Sequence, residues 1–540
     1  NSQMALFIDY INKKHSLAIK EYLELHDWSI NNIDLFWASV SDYFDIKYSS
    51  KPTQILRKTN KINEAEWFLE AQLNYAENIL PLKDSNKIAI EFFNELGSHE
   101  TYSYKKLYTQ VSVMVSLFQE LGLNKGDRVA AMMPNIPETV ISSLACSSLG
   151  GVWASCSPDF GENAILDRFK QIEPKILVLC NGYTFKGKEY SCADRIERII
   201  SEIDSVQHVI LVNYIENEKN ENLKCINWNN IKFDAPFKEI DFAQMQFNDP
   251  LYIMFSSGTT GKPKSIVHSV GGTLIQHIKE LGLHTNLSSD DKILYYTTCG
   301  WMMWNWVLSS LYFKSTLVLY EGSPFYPQTD SLLRIVDQSG INIFGTSAKY
   351  ISHIQSEGLS PISSMKLRKL RTILSTGSTL TEDNFDYIYD EIKNNVQVSS
   401  ISGGTDIISC FALGNPMLDV VSGELQCIGL GMDVASFNAN GDSIKNKRGE
   451  LVCRKPFPSM PIYFWDDLNE EKYFKSYFNK YKNVWTHGDF IEINDRGGAI
   501  IYGRSDATLN PGGIRIGTSE IYSAIDELDF LEDSIAVNSL

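Results

Sequence analysis

The sequence predicts an α/β protein: a large body of parallel-rich sheets flanked by helices, carrying a β-rich subdomain. Three observations predict it. Between Lys87 and Val212, short apolar runs alternate with amphipathic stretches. A second round of the same alternation runs from Leu251 to about Val398. After Gly423 the texture changes to short segments punctuated by turn residues. Strand–helix–strand alternation puts helices on both faces of a parallel sheet, whereas closely spaced turn signals make hairpins.

Taken in order, residues 1–85 read as a helical cap. Aromatics crowd the stretch from about Asn31 to Leu80 (Phe36, Trp37, Tyr43, Phe44, Trp67, Phe68, Tyr75), and Trp67, Ala71 and Tyr75 recur at helical spacing. Residues 86–422 read as the α/β core. Within it Val129–Met133 and Lys175–Leu179 read as buried strands, with helices at Thr139–Leu149 and Ala164–Gln171. Polar, Asn/Lys-rich Glu216–Asn230 reads as a surface loop. Tyr252–Phe255 and Thr372–Leu374 read as further strands, and Asp406–Cys410 as a short helix with Asp406 at its cap. Residues 423–505 read as the β-rich subdomain. Asn440-Gly441-Asp442, Lys447-Arg448-Gly449 and Asp495-Arg496-Gly497-Gly498 supply its hairpin turns.

Bulk properties narrow the function. The 540 residues allow roughly three or four domains, or one large α/β body that absorbs most of them. With 49 basic against 66 acidic residues the net charge is −17, which disfavours a broad nucleic-acid or anionic-membrane surface. Small-molecule substrates are the expected partners. The nine cysteines (Cys146, Cys156, Cys180, Cys192, Cys225, Cys299, Cys410, Cys427, Cys453) contain no CxxC pair, so they read as reduced thiols of a cytoplasmic protein. No signal peptide opens the chain. The most apolar stretch, Trp306–Tyr320, is shorter than the roughly 18 residues of a membrane span and is broken by Lys314. Both ends are expected to be cut, since the chain opens on Asn1 and stops at Leu540 just after the apolar run Ser534–Val537.

One string points to phosphate. Ser256-Ser257-Gly258-Thr259-Thr260-Gly261-Lys262-Pro263-Lys264 follows the strand Tyr252–Phe255. Glycines let backbone approach a phosphate closely, successive N–H groups form an anion nest, hydroxyls donate and lysines add charge. It is not the GxxxxGK[ST] P-loop, because only two residues separate Gly258 from Gly261. Pro263 also argues against a helix starting there with free N–H groups.

Further strings follow: Gly403-Gly404-Thr405-Asp406, Trp485-Thr486-His487-Gly488-Asp489, Gly503-Arg504-Ser505-Asp506, and Asn510-Pro511-Gly512-Gly513-Ile514-Arg515-Ile516 with Glu520. In this order they resemble the acyl-adenylate-forming superfamily, which includes the acyl-CoA synthetases and firefly luciferase. The resemblance implies ATP, Mg2+ and coenzyme A as cofactor and co-substrates. It implies that Ser256, Ser257, Gly258, Thr259, Thr260, Gly261, Lys262 and Lys264 hold the phosphates. Gly404 and Thr405 would face the α-phosphate, and Asp406 would hold Mg2+ directly or through water. Most members carry Glu at that place. Asp489 would accept from the ribose hydroxyls. Arg504 would contact ribose or phosphate, and Arg515 phosphate in one domain orientation. Gly377, Ser378 and Thr379 would lie along the adenine. Asp506 matches the hinge. Residues 506–540 are then the hinge and the truncated start of a C-terminal lid. Most of that lid, with its lysine, is expected to be absent, so the chain is expected to bind nucleotide and to adenylate poorly.

Longer blocks, such as Leu73–Asn78, Ser155–Gly161, Thr297–Trp304 and Pro458–Pro461, resemble the acetoacetate-activating branch near acetyl-CoA synthetase. This implies that an acetoacetate carboxylate attacks ATP and that CoA then takes the acyl group. Gly300-Trp301 would begin the wall of the acyl pocket, with Met302 and Met303. Acetyl-activating relatives place a Trp shortly before the Thr–acid pair. Here Gly403 and Gly404 precede it, and the missing indole at Gly403 is expected to make room for a longer acid. The alternatives are a CoA ligase for another short- or medium-chain acid, a carrier-loading adenylation domain, and a non-catalytic nucleotide binder. His268 and His277 carry no assignment.

Overall fold

Every side chain of the run Ile176–Cys180 (Ile-Leu-Val-Leu-Cys) is buried, as a strand covered on both faces requires. The computed structural model describes residues 2–216, 223–233, 238–256 and 262–505. Among these residues Ile176–Cys180 lies inside an eight-stranded sheet. Its order is Ile226–Asn227, His208–Val212, Ile176–Cys180, Arg128–Met132, Val152–Cys156, Pro250–Ser256, Lys264–Ser269, Tyr463–Phe464. Pairing is parallel up to Pro250–Ser256 and antiparallel beyond it. A seven-stranded sheet runs Gln397–Ser400, Thr372–Thr376, Ile343–Ser347, Lys292–Tyr295, Thr316–Glu321, Ile88–Asn94, His99–Ser103, and only its last pair is antiparallel. Parallel neighbours need crossovers, and the helices Pro137–Ser148 and Glu162–Ile172 supply two. Pro137 sits at the start of its helix, where a missing N–H leaves no bond unmade.

A five-stranded antiparallel sheet follows: Ser443–Ile444, Val434–Phe437, Gly449–Cys453, Trp485–Ile493, Ala499–Arg504. Gly441 (φ 85°) and Gly497 (φ 83°) take the left-handed backbone that its hairpin turns need. The α/β class read from the alternation is the class observed. No helix of the described residues is long and apolar enough to cross a membrane.

Three local expectations are corrected. Trp67, Ala71 and Tyr75 share no helix: Trp67 lies in the strand Glu66–Leu69 and Tyr75 opens the helix Tyr75–Ile79. Phe68 (φ 46°) and Glu70 (φ 63°) are left-handed, which a right-handed helix cannot contain. Within Glu216–Asn230, Ile226–Asn227 pairs with His208–Val212, and Trp228 is buried. Asp406–Cys410 is not a helix. Ile408 (φ 47°) turns the chain, and Ser409–Leu413 runs back as a strand against Ser402–Gly404.

Ligands bind beyond the carboxyl ends of strands in open α/β sheets. Cys156 and Ser256 end two strands of the larger sheet, Thr376 and Ser400 end two of the other, and all four line one cavity. Behind it, the helix Val270–Lys279 continues into a π-helical turn, Glu280–His284, and every residue of both is buried.

Burial also sets the pH behaviour. His268, His277 and His284 are pushed down to about 3, about 4 and about 3 by desolvation. His284 uses both ring nitrogens as a neutral ring does, giving Nδ1–H to the Gly414 carbonyl (2.9 Å) and accepting Leu430 N–H at Nε2 (3.3 Å). These rings stay neutral in the fold and gain protons when it opens, so their contribution is lost as pH falls below about 6.5. Burial pushes Glu138 up to about 7 and Glu321 up to about 8. They keep protons in the fold that the open chain sheds, so their contribution is lost as pH rises through 7 and 8. Each group changes stability by about 1.4 kcal/mol per pH unit inside its window. Urea unfolding across pH is expected to show maximal stability near 6.5, a shallow acid side down to about 4.5 and a steep fall below it. A monotonic rise from pH 5 to 8 would contradict this.

Candidate active site

The cavity has a volume of about 380 Å3. It lies between the carboxyl ends of the two large sheets and the end strands of the five-stranded one. Trp485–Ile493 and Ala499–Arg504 pair so that Asp489 stands opposite Arg504. The Arg504 guanidinium donates to Asp489 Oδ1 at 3.1 Å, and the two side chains are only 10% and 11% exposed. His487 Nε2 lies 3.5 Å from Asp489 Oδ2. A carboxylate held this way on a cavity wall is ready to accept from hydroxyls.

Thr405 lines the same cavity just after the strand Ser402–Gly404. Its carbonyl meets His268 Nε2 at 2.9 Å and Ile408 N–H at 3.3 Å, which fixes the backbone there. Gly377, Ser378 and Thr379 form another wall. Gly377 has φ 96°, and Thr379 Oγ1 donates to the Ile501 carbonyl at 3.1 Å, tying this wall to the strand that carries Arg504. Ser256 is buried and its hydroxyl has no hydrogen-bond partner among the described residues. A buried donor on a cavity wall is satisfied once a ligand oxygen arrives.

Trp301, Met302 and Met303 line the same cavity. Trp301 packs edge-on against Tyr295 at 5.9 Å, and both methionines are buried at the start of the helix Met302–Leu308. Gly404 and Gly403 are also on the wall.

The space argument for Gly403 does not survive its geometry. A Cβ there would stand 2.0 Å from the Ser409 carbonyl oxygen and 2.7 Å from Cys410 Cα. The missing side chain points into the neighbouring strand, so its absence permits strand pairing and does not hollow out the pocket. Gly403→Ala is expected to cost at least about 1–3 kcal/mol in urea unfolding. A residue that only shaped the pocket would leave stability unchanged.

Asp406 is 1% exposed and lines a second, smaller cavity instead of the first. Its Oδ1 accepts from Tyr477 OH at 2.5 Å, with Lys264 Nζ at 3.5 Å. Mg2+ typically takes one or two carboxylates plus phosphate oxygens and waters. One buried carboxylate next to Thr405 fits that demand, with a bridging water the better match to its burial. Lys264 joins Asp406 in the second cavity, and Lys262 is exposed. Ser257, Gly258, Thr259, Thr260 and Gly261, and with them Asp506 and Arg515, lie outside the described residues.

Two residues escaped the sequence reading. Arg168 is 7% exposed, lines the cavity and holds its guanidinium 5.2 Å from the Phe160 ring centre. The signal was present: Arg168 falls on the stripe of Ile165 and Ile172 in the helix Glu162–Ile172. Glu280 is fully buried and accepts from Ser409 Oγ (2.6 Å), Cys410 N–H (3.1 Å) and Trp306 Nε1–H (2.8 Å). Ser409 and Cys410 line the cavity, so Glu280 braces the wall they form from behind.

The AMP-binding enzyme family matches residues 82–464, and the acetyl-coenzyme A synthetase N-terminus family matches residues 22–79. The chain is 42% identical to acetoacetyl-CoA synthetase of Mus musculus, over 99% of this chain and 81% of the relative. It is 42% identical to acetoacetyl-coenzyme A synthetase of Rhizobium meliloti, over 99% and 82%. The solved structure of acetoacetyl-CoA synthetase from Streptomyces lividans superposes with a TM-score of 0.90 at 38% identity, over 99% of this chain and 83% of that one. With the site's geometry, these likenesses show that the chain belongs to the AMP-binding enzyme family, in its acetoacetyl-CoA synthetase branch.

Proposed function

We propose that the chain activates acetoacetate with ATP and Mg2+ as acetoacetyl-AMP and passes the acyl group to coenzyme A. The carrying observation is that Thr405, the Asp489–Arg504 pair, the Gly377–Thr379 wall and Trp301–Met303 all face one cavity. In the first step a carboxylate oxygen bonds to the α-phosphorus. The bond from that phosphorus to the bridging oxygen breaks, and its electron pair leaves with pyrophosphate. Asp489 accepts from the ribose hydroxyls and is held in place by Arg504. Gly377–Thr379 flank the base, and Thr405 donates to an α-phosphate oxygen. Trp301, Met302 and Met303 enclose the acyl chain. Mg2+, held through Asp406 and water, supplies charge neutralisation on the phosphates. In the second step the CoA sulfur bonds to the acyl carbon, the thiol proton is shed, and AMP leaves.

The domain reading belongs to this proposal: a helical cap at 1–85, a core at 86–422, a β-rich part at 423–505 and a hinge with the start of a lid at 506–540. Incubation with ATP, Mg2+, CoA and single acids, scored by mass spectrometry, tests the function. Acetoacetyl-CoA and AMP are expected, in excess over the products from acetate or longer acids. Equal turnover of acetate, or ADP in place of AMP, would contradict it.

A further inference from the structure

We propose that Arg168 sets the choice of acid. Its guanidinium takes the keto oxygen of a β-keto acid together with one carboxylate oxygen, and so favours that acid over a plain one of equal length. This rests on the acid-activating reading of the main cavity.

Arg168 is only 7% exposed and lines that cavity. Among the described residues its guanidinium makes no ion pair. Its hydrogen bond goes to the Ala164 carbonyl at 2.8 Å, one turn back in the same helix. A buried cation is costly unless a hydrogen-bonded partner meets it. A guanidinium carries five N–H donors in a fixed fork, so most of them remain for whatever enters the cavity.

The surroundings point to the acyl end. Arg168 shares the cavity wall with Cys156 and Phe160. Burial pushes the Cys156 thiol up to about 12 and the Arg168 charge opposes this, so the guanidinium stands close to that segment. The same segment packs on the residues that lead into Trp301. A Cβ on Gly300 would stand 3.2 Å from Ser157 N and 3.5 Å from Cys156 Cα. Ser155 Oγ donates to the Cys299 carbonyl at 2.6 Å. Lys264 and Asp406, after the phosphate loop and beyond Thr405, line the second cavity, which Arg168 does not.

Trp301, Met302 and Met303 carry no charge, and a wall of that kind discriminates weakly between acids of similar size. A site that donates to a substrate oxygen rejects the analogue lacking it far more strongly. In a β-keto acid one methylene separates the keto carbon from the carboxylate carbon, so an oxygen of each can face the same way. Two neighbouring N–H groups of a guanidinium match that pair. The other carboxylate oxygen is left to reach the α-phosphorus. In the acyl-adenylate the two carbonyl oxygens keep their spacing, so the contact outlasts the first step.

Calorimetric titration with the non-reactive acetoacetyl and butyryl N-acyl sulfamates of adenosine, and with AMP, tests the assignment. It compares the parent chain with Arg168→Met and Arg168→Lys. The parent is expected to bind the acetoacetyl analogue at least about tenfold more tightly than the butyryl one. Arg168→Met is expected to bring that ratio to about threefold or less while AMP affinity holds. Arg168→Lys supplies a point charge without the fork, so part of the preference is expected to survive. A parent with no keto preference, or an unchanged preference in Arg168→Met, would overturn the assignment. Equal losses for AMP and both analogues would also overturn it, because the effect would then lie in the nucleotide site or the fold. A parent that binds neither analogue more tightly than AMP would overturn the acid-activating reading itself.

Discussion

Asp489→Ala is expected to weaken AMP and ATP binding by roughly 10²- to 10⁴-fold. A hydrogen bond to a charged group contributes about 1.5–3 kcal/mol, and the proposed contact uses both ribose hydroxyls. The variant also strips Arg504 of its partner at 3.1 Å in a site where both side chains are about nine-tenths covered. Losing one member of a buried pair costs more than the pair contributes, because the remaining charge stays desolvated. Asp489→Asn keeps the shape and one acceptor, so its affinity is expected to fall between parent and Ala. Titration with AMP checks the order. Parent-like affinity in Asp489→Ala would remove the ribose role.

The second large effect is on the fold. Glu280→Ala is expected to lower stability by about 3–5 kcal/mol, measured by urea unfolding at neutral pH. Lys279 and Glu280 are both fully buried, and Lys279 Nζ lies 3.4 Å from Glu280 Oε1. Burial alone would raise the Glu280 carboxyl. The neighbouring ammonium and the hydrogen bonds from Ser409 and Trp306 more than reverse this and hold it below the usual range. Its contribution is therefore present at neutral pH and lost as pH falls below the carboxylate range. The deletion leaves an ammonium, an indole N–H and the Cys410 amide without their acceptor. Glu280→Gln keeps a carbonyl for the donors and removes the charge, so a smaller loss is expected. A loss below about 1 kcal/mol for Glu280→Ala would show the pair to be dispensable.

The sequence made some of this legible for physical reasons. Apolar runs such as Ile176–Cys180 are unambiguous because a doubly covered strand has no polar face. Hairpin glycines such as Gly441 and Gly497 announced their turns because the backbone needs positive φ there. Asp489 and Arg504 were readable as a pair of motifs, but their cross-strand contact depends on register, which spacing alone does not give. Helical spacing misled at Trp67, Ala71 and Tyr75, where two left-handed residues interrupt the chain. Gly403 misled differently. A glycine can mark empty space or a backbone too close for any side chain, and only the 2.0 Å approach of Ser409 O tells them apart. Glu280 was missed because most of the donors that hold it, Trp306, Ser409 and Cys410, lie far away in sequence, and the adjacent Lys279 alone reads as an ordinary charged pair on a helix. Asp406 and Lys264 looked like parts of the main site, and their side chains instead line the second cavity.

The central claim is that one cavity holds the adenosine and the acid on either side of Thr405. Calorimetric titration with a non-hydrolysable acetoacetyl-adenylate analogue, compared with AMP alone, tests it most directly. The expected result is a single site that binds the analogue at least about tenfold more tightly than AMP, with both lost in Asp489→Ala. An analogue that binds no more tightly than AMP, or that keeps its affinity in Asp489→Ala, would contradict it.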